Sequence, residues 1–75
     1  MGERGTPRLT AEQVLIVLRH GGFRLAGSSG SHQKWRNGLT GKQVIVPYHR
    51  GRILPLGTLR AIIEGSGIEI DKWFD

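Results

Sequence analysis

Apolar residues along this chain change their spacing twice, and that change limits the folds open to it. Ala11, Val14, Leu15 and Leu18 recur at helical spacing, and Leu56, Leu59, Ile62 and Ile63 do so again. Between these runs the pattern shortens to the alternation of a strand, with His32, Lys34 and Arg36 on one side and Gln33 and Trp35 on the other. Thr10 followed by Gln13 has the form of a capping box. A helix is therefore predicted over Ala11–His20, stopped by Gly21 and Gly22. Strands are predicted over Phe23–Ala26, His32–Arg36 and Lys42–Val46, the last ended by Pro47. Gly27–Ser31 reads as a flexible connection, and Asn37-Gly38 opens a hairpin loop reaching Gly41. Tyr48–Leu54 reads as a basic loop. Pro55, or Gly57 as a cap, then starts a second helix that runs to Glu64 and is broken by Ser66 and Gly67. A final turn or short helix carries Ile70, Trp73 and Phe74, whose bulk calls for docking on the core.

The predicted order is α-β-β-β-α, an α+β fold. Hairpin connections make the three-stranded sheet antiparallel, and two helices on one face leave the other open. Trp35, Val44 and Val46 belong to the covered face, and His32, Lys34 and Arg36 to the open one. Ile45 shares the open face, where partial cover by a loop or a partner protein would account for it. With 75 residues the chain has room for one domain, taken as 10–75 after an N-terminal extension over 1–9. The absence of cysteine excludes disulfides, thiolate metal sites and cysteine nucleophiles, and fits a reducing compartment. Met1–Thr10 holds no apolar run of signal-sequence type, and nothing reaches the length of a membrane span. A cytoplasmic location is the expectation.

The net charge is +5, and its distribution matters more than its size. From Gln13 to Ile63 there is no Asp or Glu, while Arg19, Arg24, Lys34, Arg36, Lys42, Arg50, Arg52 and Arg60 all fall there. Cations concentrated in one folded body repel each other unless an anion sits nearby, which points to a polyanion partner. Anionic membrane is disfavoured, because neither helix pairs a basic face with a strong apolar one.

Metal-dependent nucleases hold their ions with carboxylates, and this central stretch has none. The spacing of His20, His32 and His49 matches no familiar zinc pattern. RNA offers another route, because its 2′-hydroxyl is an internal nucleophile. Cleavage then needs a base for that proton and cations for the phosphate. Histidine suits the first task, while Lys and Arg suit the second. His32 is the candidate catalytic residue, and Lys34, Arg36, Arg50 and Arg52 are candidate RNA contacts. His49 reads as a second proton carrier, a phosphate contact or a plain loop residue. His20, at a helix C-terminus, reads as structural.

In Gly21-Gly22-Phe23, in Gly30-Ser31-His32 followed by Trp35, in Val46-Pro47-Tyr48-His49, and in Gly57-Thr58-Leu59-Arg60 with Ile62, Ile63 and Gly67, the chain resembles the HicA family of bacterial toxin–antitoxin ribonucleases. The similarity runs from about Thr10 to Trp73. It implies a fold like a double-stranded RNA-binding domain and cleavage of messenger RNA without a metal or other cofactor. It also implies catalysis by the histidine of Gly-Ser-His, here His32, and a HicB-type antitoxin that covers the active surface.

Two other classes compete. A non-catalytic RNA-binding module of the same fold would share the basic face and its salt dependence, and only His32 and the pH dependence separate the two. An interaction protein whose open sheet docks an antitoxin would centre its interface on Ile45 and Tyr48. A DNA-binding repressor is disfavoured, since neither helix is lined with base-reading residues.

Overall fold

The computed structural model describes residues 7–74; residues 1–6 of the predicted extension, and Asp75, lie outside the described residues. The first helix, α1, spans Ala11–His20. Its capping box is complete: Thr10 Oγ1 accepts from Gln13 N–H at 3.2 Å, and Gln13 Oε1 accepts from Thr10 N–H at 2.9 Å. Such a cap contributes about 1 kcal/mol. Val14 and Leu18 are fully buried, as the helical spacing requires.

Three antiparallel strands follow in the order β1-β2-β3: β1 over Phe23–Ser29, β2 over His32–Asn37 and β3 over Gln43–Pro47. The first strand runs further than the sequence predicts, and the flexible connection over Gly27–Ser31 is corrected accordingly. Gly27, Ser28 and Ser29 pair with Lys34, Gln33 and His32, so only Gly30 and Ser31 form the turn. Their small side chains bury nothing, but their backbone groups complete the ladder. Gly30 has φ 58 and Ser31 a negative φ, the glycine-first pattern of a tight II′ hairpin. A bulge between Leu25 and Gly27 leaves Ala26 without a cross-strand partner.

The second hairpin is pinned by Asn37, a buried residue at the end of β2. Its Nδ2 donates to the Gly21 carbonyl at 3.0 Å, and its Oδ1 accepts from Leu39 N–H at 2.8 Å and Thr40 N–H at 3.2 Å. One side chain thus shapes the turn and ties it to the end of α1. The second helix, α2, spans Leu56–Ser66 behind Pro55. It runs two residues past the predicted Glu64, because Ser66 Oγ donates to the Ile63 carbonyl and accepts from Ile68 N–H. Gly67, at φ 70, closes it in the left-handed conformation. A 3₁₀ turn over Ile70–Trp73 completes the chain.

Both helices pack on the sheet face that carries Phe23, Trp35, Val44 and Val46. Leu15 and Leu18 of α1, Leu59, Ile62 and Ile63 of α2, and Trp73 join these residues in one core. Trp73 docks as expected, only 2% exposed. Arg19 lies over the Trp35 ring, its guanidinium carbon 5.2 Å from the centroid, so this cation serves the covered side. Among the described residues no helix is long and apolar enough to cross a membrane.

Candidate functional site

Cross-strand register decides what the open face displays. On β2, Gln33, Trp35 and Asn37 turn inward, while His32, Lys34 and Arg36 are exposed. The neighbouring strands extend each of these into a row. Arg36 stands between Arg24 and Gln43, Lys34 between Gly27 and Ile45, and His32 between Ser29 and Pro47. The register read from alternation is therefore the one observed. Ile45 does share the open face, and it is 47% exposed.

Two features of this surface favour an anion. No carboxylate lies on any of the three strands. Arg24 and Arg36 are directly opposite each other, and like charges so placed are unfavourable unless something negative lies across them. Arg24 was not singled out from the sequence. Phe23 as the inward residue of β1 carries the signal, since its neighbour must then point outward.

The loop after β3 begins at the His32 end of the sheet. Tyr48 N–H donates to the Ser31 carbonyl at 2.7 Å, carrying the pairing one step past Pro47. Tyr48 packs against the core, and the chain then turns through His49, Arg50, Gly51 and Arg52, all exposed. Arg52 N–H donates to the His49 carbonyl at 3.1 Å, and Gly51 adopts φ 75. The exit is fixed by Leu54 N–H on the Leu9 carbonyl at 2.8 Å, beside a bridge between Thr10 and Ile53.

Glu12 of α1 reaches this loop, a contact with no sequence signal. Its carboxylate accepts from Gly51 N–H at 3.1 Å and from the Tyr48 hydroxyl at 3.3 Å. Its own backbone N–H does most to hold the carboxyl below its ordinary pKa; desolvation opposes this, and Gly51 N–H, the Tyr48 hydroxyl and the Thr10 side chain add smaller lowering effects.

The structure thus gathers His32, Lys34 and Arg36 on one face with Arg24, and sets His49, Arg50 and Arg52 in a turn leaving the His32 end. His20 stands apart, on a groove between α1 and the C-terminal 3₁₀ turn lined by Leu9, Ile16, Val17, Ile68 and Trp73. Among the described residues no three His, Asp or Glu side chains form a group that could hold a metal ion.

These features define a small α+β domain with a basic, histidine-bearing sheet face. The family model described as the HicA toxin of bacterial toxin–antitoxin systems matches residues 11–68, which takes in both helices and the whole sheet. The chain belongs to the HicA toxin family, and is a toxin of a toxin–antitoxin system. No curated protein matches it.

Proposed function

We propose that this toxin is an endoribonuclease that cuts messenger RNA in the cytoplasm, with His32 as its catalytic base and no metal in the reaction. The carrying observation is that His32 is exposed in the same row of β2 as Lys34 and Arg36. His32 takes the proton of a ribose 2′-hydroxyl, whose oxygen attacks the adjacent phosphorus. The bond from phosphorus to the 5′-oxygen breaks, leaving a 2′,3′-cyclic phosphate and, after protonation, a 5′-hydroxyl. His49, two residues beyond the cross-strand partner of His32, or a water molecule supplies that last proton. Lys34, Arg36 and Arg24 bind the phosphates along the sheet and stabilise charge developing at phosphorus, and Arg50 and Arg52 extend the path beyond its edge.

The route without metal rests on the donor set: the open face offers imidazole, ammonium and guanidinium groups and no carboxylate. A HicB-type antitoxin neutralises the toxin by covering this face. The half-exposed Ile45 gives such a partner an apolar contact among the charges.

Cleavage of a long single-stranded RNA in EDTA, by wild type and His32→Ala side by side, tests the proposal. Wild type is expected to cut and His32→Ala to lose at least about 100-fold in rate, the lower range for removing a general base. Unchanged thermal unfolding is expected, since His32 is exposed and adds nothing to the core. Binding without cleavage by both proteins would replace the proposal with a non-catalytic RNA-binding module.

A further inference from the structure

The turn over His49–Arg52 has a physical difficulty. It sets two arginines and a histidine within four residues, all exposed, with no apolar side chain to anchor it. Arginine side chains carry much rotamer freedom, and like charges this close push apart. A turn of this composition, left alone, sweeps a wide volume. Here its midpoint is held instead, since Gly51 N–H lies 3.3 and 3.1 Å from the two carboxylate oxygens of Glu12. The same carboxylate takes the hydroxyl of Tyr48, the residue that leads into the turn. Glu12 is also the last acidic residue before the acid-free stretch, so the turn has no acidic residue of its own in sequence to balance its cations.

Location gives this clamp its meaning. The turn begins two residues past Pro47, and Pro47 is the cross-strand partner of His32. Glu12 itself belongs to the first turn of α1, in the helix layer rather than on the open face. A residue of the helix layer therefore holds the backbone of the turn that carries Arg50 and Arg52.

We propose that Glu12 is a positioning residue for RNA, fixing the His49–Arg52 turn so that Arg50 and Arg52 are held for phosphates next to the one at His32. This rests on the ribonuclease reading above. The plain alternative is that Glu12 only balances the positive end of the α1 dipole. That role would affect stability but leave substrate binding unchanged.

The test is steady-state cleavage of a fluorophore-labelled RNA in EDTA by the full chain, with amide exchange at Gly51 measured alongside. Glu12→Ala is expected to raise KM about 3- to 10-fold with kcat within about twofold, and to speed exchange at Gly51. Glu12→Gln keeps the length and an acceptor for Gly51 N–H. It is expected to recover part of the loss, and it carries the test if Glu12→Ala unfolds. In an Arg50→Ala, Arg52→Ala background, Glu12→Gln and Glu12→Ala are expected to cause no further rise in KM, because the groups they position are gone. Faster exchange with unchanged KM, or effects that simply add in that background, would overturn the positioning role while leaving the ribonuclease intact. Wild-type protein that neither binds nor cuts RNA would overturn the ribonuclease reading and this proposal with it.

Discussion

Replacing Lys34 and Arg36 with alanine gives a quantitative check on the path of the RNA. Five cations line the proposed path: Arg24, Lys34 and Arg36 on the sheet, and Arg50 and Arg52 in the turn. Each phosphate neutralised on a single strand releases counterions and adds about 0.7 to the slope of log affinity against log salt. Full use of all five gives a slope near −3.5, so affinity is expected to fall roughly 100-fold between 50 and 200 mM salt. With Lys34 and Arg36 removed the slope is expected to shrink to about −2, and the same salt step to cost only roughly 20-fold. Both side chains are exposed on the open face, so folding is expected to be unaffected. Fluorescence anisotropy with a labelled RNA, in a His32→Ala background that leaves the RNA intact, reads both slopes. A double variant whose slope stays within about 0.3 of the parent would refute the reasoning, because two lost phosphate contacts must show as a change of about 1.4.

Two further outcomes concern the frame that holds this surface. Asn37→Ala removes three hydrogen bonds at once, from Gly21, Leu39 and Thr40. Water can reach part of the freed turn, so the expected cost is about 2–3 kcal/mol, or a Tm lower by roughly 10–20 °C for a domain of this size. A drop of less than about 3 °C in a circular dichroism melt would mean that the turn stands without its asparagine. Glu12 makes stability depend on acid. Its folded-state pKa lies below the ordinary 4.5, so its contribution is complete above that pH and is lost as pH falls through the folded value. The Tm difference between wild type and Glu12→Gln is expected to be constant near neutrality and to shrink once the pH falls below the ordinary 4.5; a difference that grows on acidification would contradict the sign.

Much of this molecule was legible because its apolar residues keep one period per element. Val14, Leu15 and Leu18 mark the buried side of α1, Leu59, Ile62 and Ile63 that of α2, and Trp35 sets the facing of β2. That one orientation is enough to put His32, Lys34 and Arg36 on the open side. The end of β1 was not legible, because Gly27, Ser28 and Ser29 are held by backbone pairing and carry no apolar side chain to mark a strand. Leu25 shows the limit from the other direction. It faces the same side as Trp35, its cross-strand partner, yet it is 53% exposed on the edge strand while Trp35 in the middle strand is 3% exposed. The Glu12 clamp was hidden for a different reason. It links positions 39 residues apart through a backbone amide, which every residue but proline offers, so no side-chain pattern announces it.

The unpaired Ala26 has a consequence for how the sheet meets other sheets. Both β1 and β3 are edge strands, and an edge of regular spacing is a template on which another chain can add a strand. Along β1 that spacing is interrupted between Leu25 and Gly27, where the bulge adds twist and throws later groups out of step. On the opposite side β3 ends in a proline, which has no amide hydrogen to offer an incoming strand. Edge-to-edge polymerisation is thereby discouraged on both flanks. The toxin thus has protection against aggregation built into its backbone.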